Sequence, residues 1–228
     1  MYATAAMVGD PTPYAARNVV AILPGSDLRL RHQYVALTAH NDHVGLTGAP
    51  PVDHDSVRAH NRVVRPMGAD SPDREPTAEE WARIRAILDS LRTRFAARPD
   101  SIRNGADDDG SGTVSLLELA RIFSAQGAKP RRSLLFVSHT GEEYGLLGSA
   151  WYAEHPTVPR DSIVAEIDQD MVGRGGLEDL PEGGPAYLEV IGAWRLSTQF
   201  GDMLTTANAK FYQQELQKLL EAAPQRGM

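Results

Sequence analysis

No cysteine occurs among the 228 residues, which excludes disulfides, thiolate zinc sites and cysteine nucleophiles. Any metal must therefore be held by imidazole and carboxylate. Positive charge is in short supply: 23 Lys and Arg face 30 Asp and Glu, and the net charge of -7 argues against nucleic acid or an acidic membrane surface as a partner. Long apolar runs are missing too, and none approaches the ~20 residues of a membrane span. No membrane contact is expected on that ground. Residues 1–16 lack a basic start and a continuous apolar stretch, so no signal peptide is read there and the compartment stays open. Histidine stops early, with none after His155.

What remains is an ordinary globular composition, 42% hydrophobic and 23% charged, read as one domain over residues 1–228. The apolar pattern alternates strand and helix. Strands are expected at Val19–Leu23, Tyr34–Thr38, Ser133–Val137, Ile163–Ile167 and Tyr187–Ile191. A helix is expected over Thr113–Ser124, with Leu116, Ala120 and Phe123 on one face. From about residue 49 to 103 the rhythm breaks, and this stretch reads as an insertion beside the site. Its first half, rich in Pro, Asp, His and Arg, reads as loop. Its second half carries a capping box at Thr77 and Glu80, then an apolar stripe of Trp81, Ile84, Leu88, Leu91 and Phe95.

Four short segments carry candidate chemistry. They are Ala39-His40-Asn41-Asp42-His43, Asn104 to Gly112 with its run Asp107-Asp108-Asp109, Gly141-Glu142-Glu143, and Asp168-Gln169-Asp170-Met171. Three of them follow expected strands, and open α/β sheets build sites at strand carboxyl ends. His40 and Asp42 are within mutual reach, and a ligating histidine is usually oriented through its second ring nitrogen. Three adjacent carboxylates repel, so a cation explains them, as does capping of the next helix by Asp109 or Ser111. Of two neighbouring glutamates, one can bind a metal while the other moves a proton.

Residues 107–118 also match a calcium loop, with Asp107, Asp109 and Ser111 at positions 1, 3 and 5, Gly112 at 6 and Glu118 at 12. Pro99, Asn104 and Gly105 oppose the entering helix that such an EF-hand-like module needs. A calcium-binding module at 107–118 is one alternative reading.

In order and context, the four segments resemble the M28 family of zinc aminopeptidases, over roughly residues 18–208 and including Asp170-Met171-Val172-Gly173-Arg174. The resemblance implies a three-layer α/β/α sandwich around a mixed β-sheet. It implies two zinc ions, with His40 and Asp170 on one, Glu143 on the other and Asp107 bridging. Glu142 is then the general base and Asp42 the partner that orients His40. The Asp107–Asp108 link is implied to be a cis peptide. The implied partner is a peptide or protein N-terminus, and the implied reaction is hydrolysis of the first peptide bond. Related peptidases are commonly exported.

One departure stands out. Family members supply a late histidine ligand, whereas here residues 211–225 read as a helix with Tyr212, Leu216, Leu219 and Leu220 on one face. The second zinc position is therefore expected to be incomplete, with His139, His43 or a partner chain as substitutes. The chain is also expected to be clipped at its ends. A catalytically impaired or inactive relative is a further alternative, and oligomeric state is not legible.

Overall fold

The segment Tyr34–His40 (β2) is mostly apolar or small up to its final histidine, as suits a strand covered on both sides, and it lies inside the sheet. Val19–Leu23 is β1, Ser133–His139 is β7 and Ile163–Asp168 is β8, in the spatial order β1-β7-β2-β8. β2 runs parallel to β7 and β8, while β1 pairs with β7 antiparallel, so the sheet is mixed. The structure, a computed structural model, describes residues 16–46, 50–66, 71–97, 99–125, 129–176, 183–184 and 187–222, with side chains to 210 in the last helix. Contacts divide the chain into two compact units, Met1–Tyr187 and Leu188–Met228.

Alternation along β2 and β7 assigns their side chains to two faces. Leu37, Ala39, Leu134 and Phe136 pack against Leu116, Leu119, Ala120 and Phe123 of Gly110–Ala125 (α3). On the opposite face Ala36, Leu135 and Val137 pack against Tyr152 of Leu147–Glu154 (α4) and Val158. Helices thus cover both faces of a mixed sheet.

The insertion is more ordered than its composition predicts. Where a loop was expected, His54–Val64 forms a helix (α1), because Ala59, Val63 and Val64 share a buried face against Ile84. Polar residues on its other face hid that short stripe. The second helix, Ala78–Arg92 (α2), has the expected box: Thr77 accepts from the Glu80 N–H, and Glu80 accepts from the Thr77 N–H. Thr77→Ala is expected to cost about 1 kcal/mol, read as a lowered urea midpoint at unchanged slope. No loss would mean that the cap is redundant with the Arg74–Glu80 pair. Of the apolar stripe, Ile84 is buried, but Trp81 and Phe95 are 41% and 57% exposed.

Short pairings close the insertion at its base. Gly45–Leu46 (β3) pairs with Ile102–Arg103 (β6), and Val52–Asp53 (β4) pairs with Pro99–Asp100 (β5). The insertion's start at residue 49 lies outside the described residues. So do residues 1–15, where the absence of a leader was read.

The smaller unit holds Ala193–Leu196 (α5) and Thr198–Ala222 (α6). The strand expected at Tyr187–Ile191 does not form: Leu188, Val190 and Ile191 are exposed and no described strand pairs with them. Alternating residues alone do not make a strand without a partner. The apolar face read at Tyr212, Leu216, Leu219 and Leu220 falls on α6 beyond its described side chains.

Candidate functional site

Because β2, β7 and β8 run parallel, their carboxyl ends open on one side of the sheet. His40 ends β2, Glu142 and Glu143 follow β7, and Asp170 follows β8. The turn that leads into α3 brings Asp108 and Asp109 to the same place, and a hydrogen bond from Thr113 Oγ1 to the His40 carbonyl at 2.7 Å holds the start of the helix there.

His40 is the centre, with its side chain 4% exposed. Its Nε2 lies 3.1 Å from Asp108 Oδ1 and 3.9 Å from both Glu142 Oε2 and Asp170 Oδ1. Its Nδ1 is 3.1 Å from the backbone carbonyl of Asp42, while the Asp42 carboxylate is 3.8 Å away. The orienting contact expected from the Asp42 side chain is thus closer from its main chain. That side chain instead accepts the Glu142 N–H at 3.1 Å and holds the glutamate loop in place.

Asp107 is not brought into this cluster. Its carboxylate accepts from Arg174 Nε at 2.8 Å and from Ser111 Oγ at 3.0 Å. Asp108 takes the facing position beside His40, and the cis peptide lies one link later than expected, at Asp108–Asp109. Asp109 is buried and braces three segments, accepting N–H groups of His40 at 3.0 Å, Gly112 at 2.9 Å and Met171 at 3.3 Å. The capping alternative for Asp109 was the signal for this shift, since it leaves Asp108 as the free neighbour. Asp168 is tied to the Thr38 hydroxyl, and Asp170 is the carboxylate that faces His40.

The calcium-loop alternative fails on local structure. Helix α3 begins at Gly110, so Glu118 stands roughly 12 Å along it, two turns beyond the acidic run. There it pairs with Arg121 at 2.6 Å.

Glu143 meets His43 Nδ1, and that nitrogen is 3.9 Å from Asp108 Oδ1. His139 is buried and edge-on to Tyr152 at 5.9 Å, and His155 stacks on Trp151 at 4.6 Å. Among the described residues, two groups bring ligand atoms within 4.8 Å of one another: His40, Asp109 and Asp170, and His40, Asp108 and Glu143.

Electrostatics follow from crowding acids around one buried imidazole. Burial pushes the Asp109 carboxyl up to about 6, against the backbone N–H groups that favour its charged form. Burial raises Glu142 as well, with Glu143, Asp108 and Asp42 adding repulsion and His40 opposing. Asp170 is raised by burial and then by Asp108. For His40, burial disfavours the charged form, but Asp109, Asp170 and Glu142 outweigh it and raise its pKa. Burial lowers His139.

These residues fit a divalent cation. His40 Nε2 is buried and, though close to Asp108, has no hydrogen-bond partner. The Asp42 contact at Nδ1 leaves Nε2 to present a lone pair to the acids. The donor set of imidazole and carboxylate suits zinc.

Comparisons with known proteins bear on the family of this chain. The model of peptidase family M28 matches residues 18–218. A vacuolar membrane protease of Coccidioides posadasii is 37% identical over 87 residues, 38% of this chain and 8% of that protein. One from Verticillium alfalfae is 45% identical over 62 residues, 26% and 6% of the two chains. One from Aspergillus clavatus is 36% identical over 85 residues, 37% and 8%. This chain's match spans less than a tenth of the length of these relatives. Their names attach them to a membrane, so the expectation of no membrane partner finds no support in them. Among the described residues, no helix is long and apolar enough to cross one.

Proposed function

Since this chain belongs to peptidase family M28, we propose that it is a zinc-dependent aminopeptidase that removes N-terminal residues, with Glu142 as general base. One observation carries the reading: the buried, unpartnered Nε2 of His40 is faced by Asp108, Glu142 and Asp170 at the carboxyl end of a mixed sheet. We extend the proposal to a three-layer α/β/α sandwich in a single peptidase-like domain. The supporting fact is that α3 and α4 pack on opposite faces of the sheet.

In this reading His40, Asp108 and Asp170 would hold one ion, and Asp108 and Glu143 would contribute to a second. Zinc supplies positive charge that polarises the scissile carbonyl and acidifies water. The Asp42 carbonyl fixes the His40 ring, and the Asp42 carboxylate fixes the Glu142 backbone. Glu142 accepts a proton from the attacking water and returns it to the leaving amine. Burial makes its carboxylate more basic than an exposed glutamate, which suits that task. Keeping Glu142, Asp42 and His40 together supports an active enzyme over a silent relative.

The test is hydrolysis by zinc-reconstituted protein of aminoacyl p-nitroanilides, free and N-acetylated. Free-amine substrates are expected to turn over, acetylated ones at least ~100-fold more slowly, and a chelator should remove both activities. Equal rates on the blocked substrate would overturn the aminopeptidase assignment. Bound zinc without hydrolysis of either would favour the inactive relative.

A further inference from the structure

The geometry points to His43 as a ligand of the second metal position, completing a set with Asp108 and Glu143; this rests on the zinc reading above. An ordinary catalytic zinc site has three protein ligands, and Asp108 and Glu143 offer two of them. His43 directs Nδ1 at Glu143 Oε1, with Asp108 Oδ1 3.9 Å away. Both His43 Nδ1 and Glu143 Oε1 are buried, and neither has a hydrogen-bond partner. A simple histidine–glutamate pair would satisfy at least one of these atoms. Two buried ligand atoms that meet beside Asp108 without a hydrogen bond suit a cation bound next to them.

The backbone is built to keep His43 there. Gly105 is left-handed at φ 64°, and a Cβ on it would lie 2.5 Å from the His43 Cβ and 2.6 Å from the Asp108 carbonyl. The loop that carries Asp108 therefore packs directly on the stem of His43. No other described histidine competes. His139 is buried against Tyr152, His155 stacks on Trp151, His60 lies against Trp81 and His54 lies 3.9 Å from Asp100. Neither His139 nor His43 belongs to the two ligand groups above, but His43 faces Glu143 and Asp108, whereas His139, the other substitute considered from the sequence, faces Tyr152.

The experiment is zinc titration of the purified apo chain against a chromophoric chelator, with elemental analysis, for wild type, His43→Ala and His155→Ala. Circular dichroism of each apo protein checks folding, and His43→Gln replaces the alanine variant if that one does not fold. Wild type and His155→Ala are expected to hold two equivalents of zinc. His43→Ala is expected to keep the first at unchanged affinity and to bind the second at least ~100-fold more weakly. Two equivalents at wild-type affinity in His43→Ala would overturn the inference and make the contact an ion pair only. One equivalent in wild type and variant alike would also overturn it, while leaving the zinc reading standing. No zinc in wild type would overturn both.

Discussion

Glu142→Gln is expected to lower kcat by about a thousandfold while leaving zinc content and melting temperature unchanged. The substitution keeps shape and removes only the ability to take a proton. Glu142 stands 3.9 Å from His40 Nε2, so it faces the same space as the ligand groups, yet it belongs to neither of them. Its main chain is anchored by Asp42, so the variant side chain is expected to occupy the same place. A general base contributes typically 10²–10⁴-fold, and the middle of that range is the expected loss. Steady-state kinetics on a free-amine substrate, with metal analysis of the same sample, decides the matter. A fall of less than tenfold would remove Glu142 from the role. An equal fall with zinc lost would show that it holds metal instead.

Gly112→Ala is expected to destabilise the fold by about 3 kcal/mol or more. An added Cβ would stand 1.9 Å from the Gln169 carbonyl oxygen and 2.3 Å from Asp109 Oδ1. Neither neighbour can yield cheaply: the first is backbone after β8, and the second is the buried carboxylate that binds three N–H groups. Relief requires moving the first turn of α3 away from the strand ends. Total stability is commonly about 5–15 kcal/mol, so the expected loss is a large share of it. Gly45→Ala is the control, because its φ of 67° carries a conformational penalty but nothing lies within 4 Å of the added atom. That penalty is about 1–2 kcal/mol. Urea unfolding of both variants separates overlap from backbone strain, and equal losses would refute the steric argument.

The position of the sheet's strands was legible because the central ones are nearly continuous apolar runs, a local signal, whereas their order and register were not. Tyr34–His40 and Ser133–His139 form where the pattern places them, each extended by two residues to the histidine at its end. Helix α1 was hidden because only one narrow face of it is buried. Tyr187–Ile191 misled for the opposite reason, alternating where no described strand lies alongside to form a ladder. Within the site, the segments were legible but not the rotation of the acidic run. Sequence order does not say which of Asp107, Asp108 and Asp109 faces inward. That is settled by Arg174 drawing Asp107 outward and by the backbone N–H groups that claim Asp109. The crowding of His43 against Glu143 depends on Gly105, which no spacing rule reveals.

The stem formed by β3 with β6 and β4 with β5 has a consequence for how this protein can change. It brings the entry and exit of the α1–α2 pair side by side, and that pair has a core of its own in Ala59, Val63, Val64 and Ile84. Chain enters and leaves the excursion at neighbouring points, so its contour length is decoupled from the register of β2 and β7. Loop-closure entropy rises only slowly with length. The segment is thus a replaceable cassette, in which residues can be gained, lost or exchanged over generations while the cluster around His40 keeps its geometry.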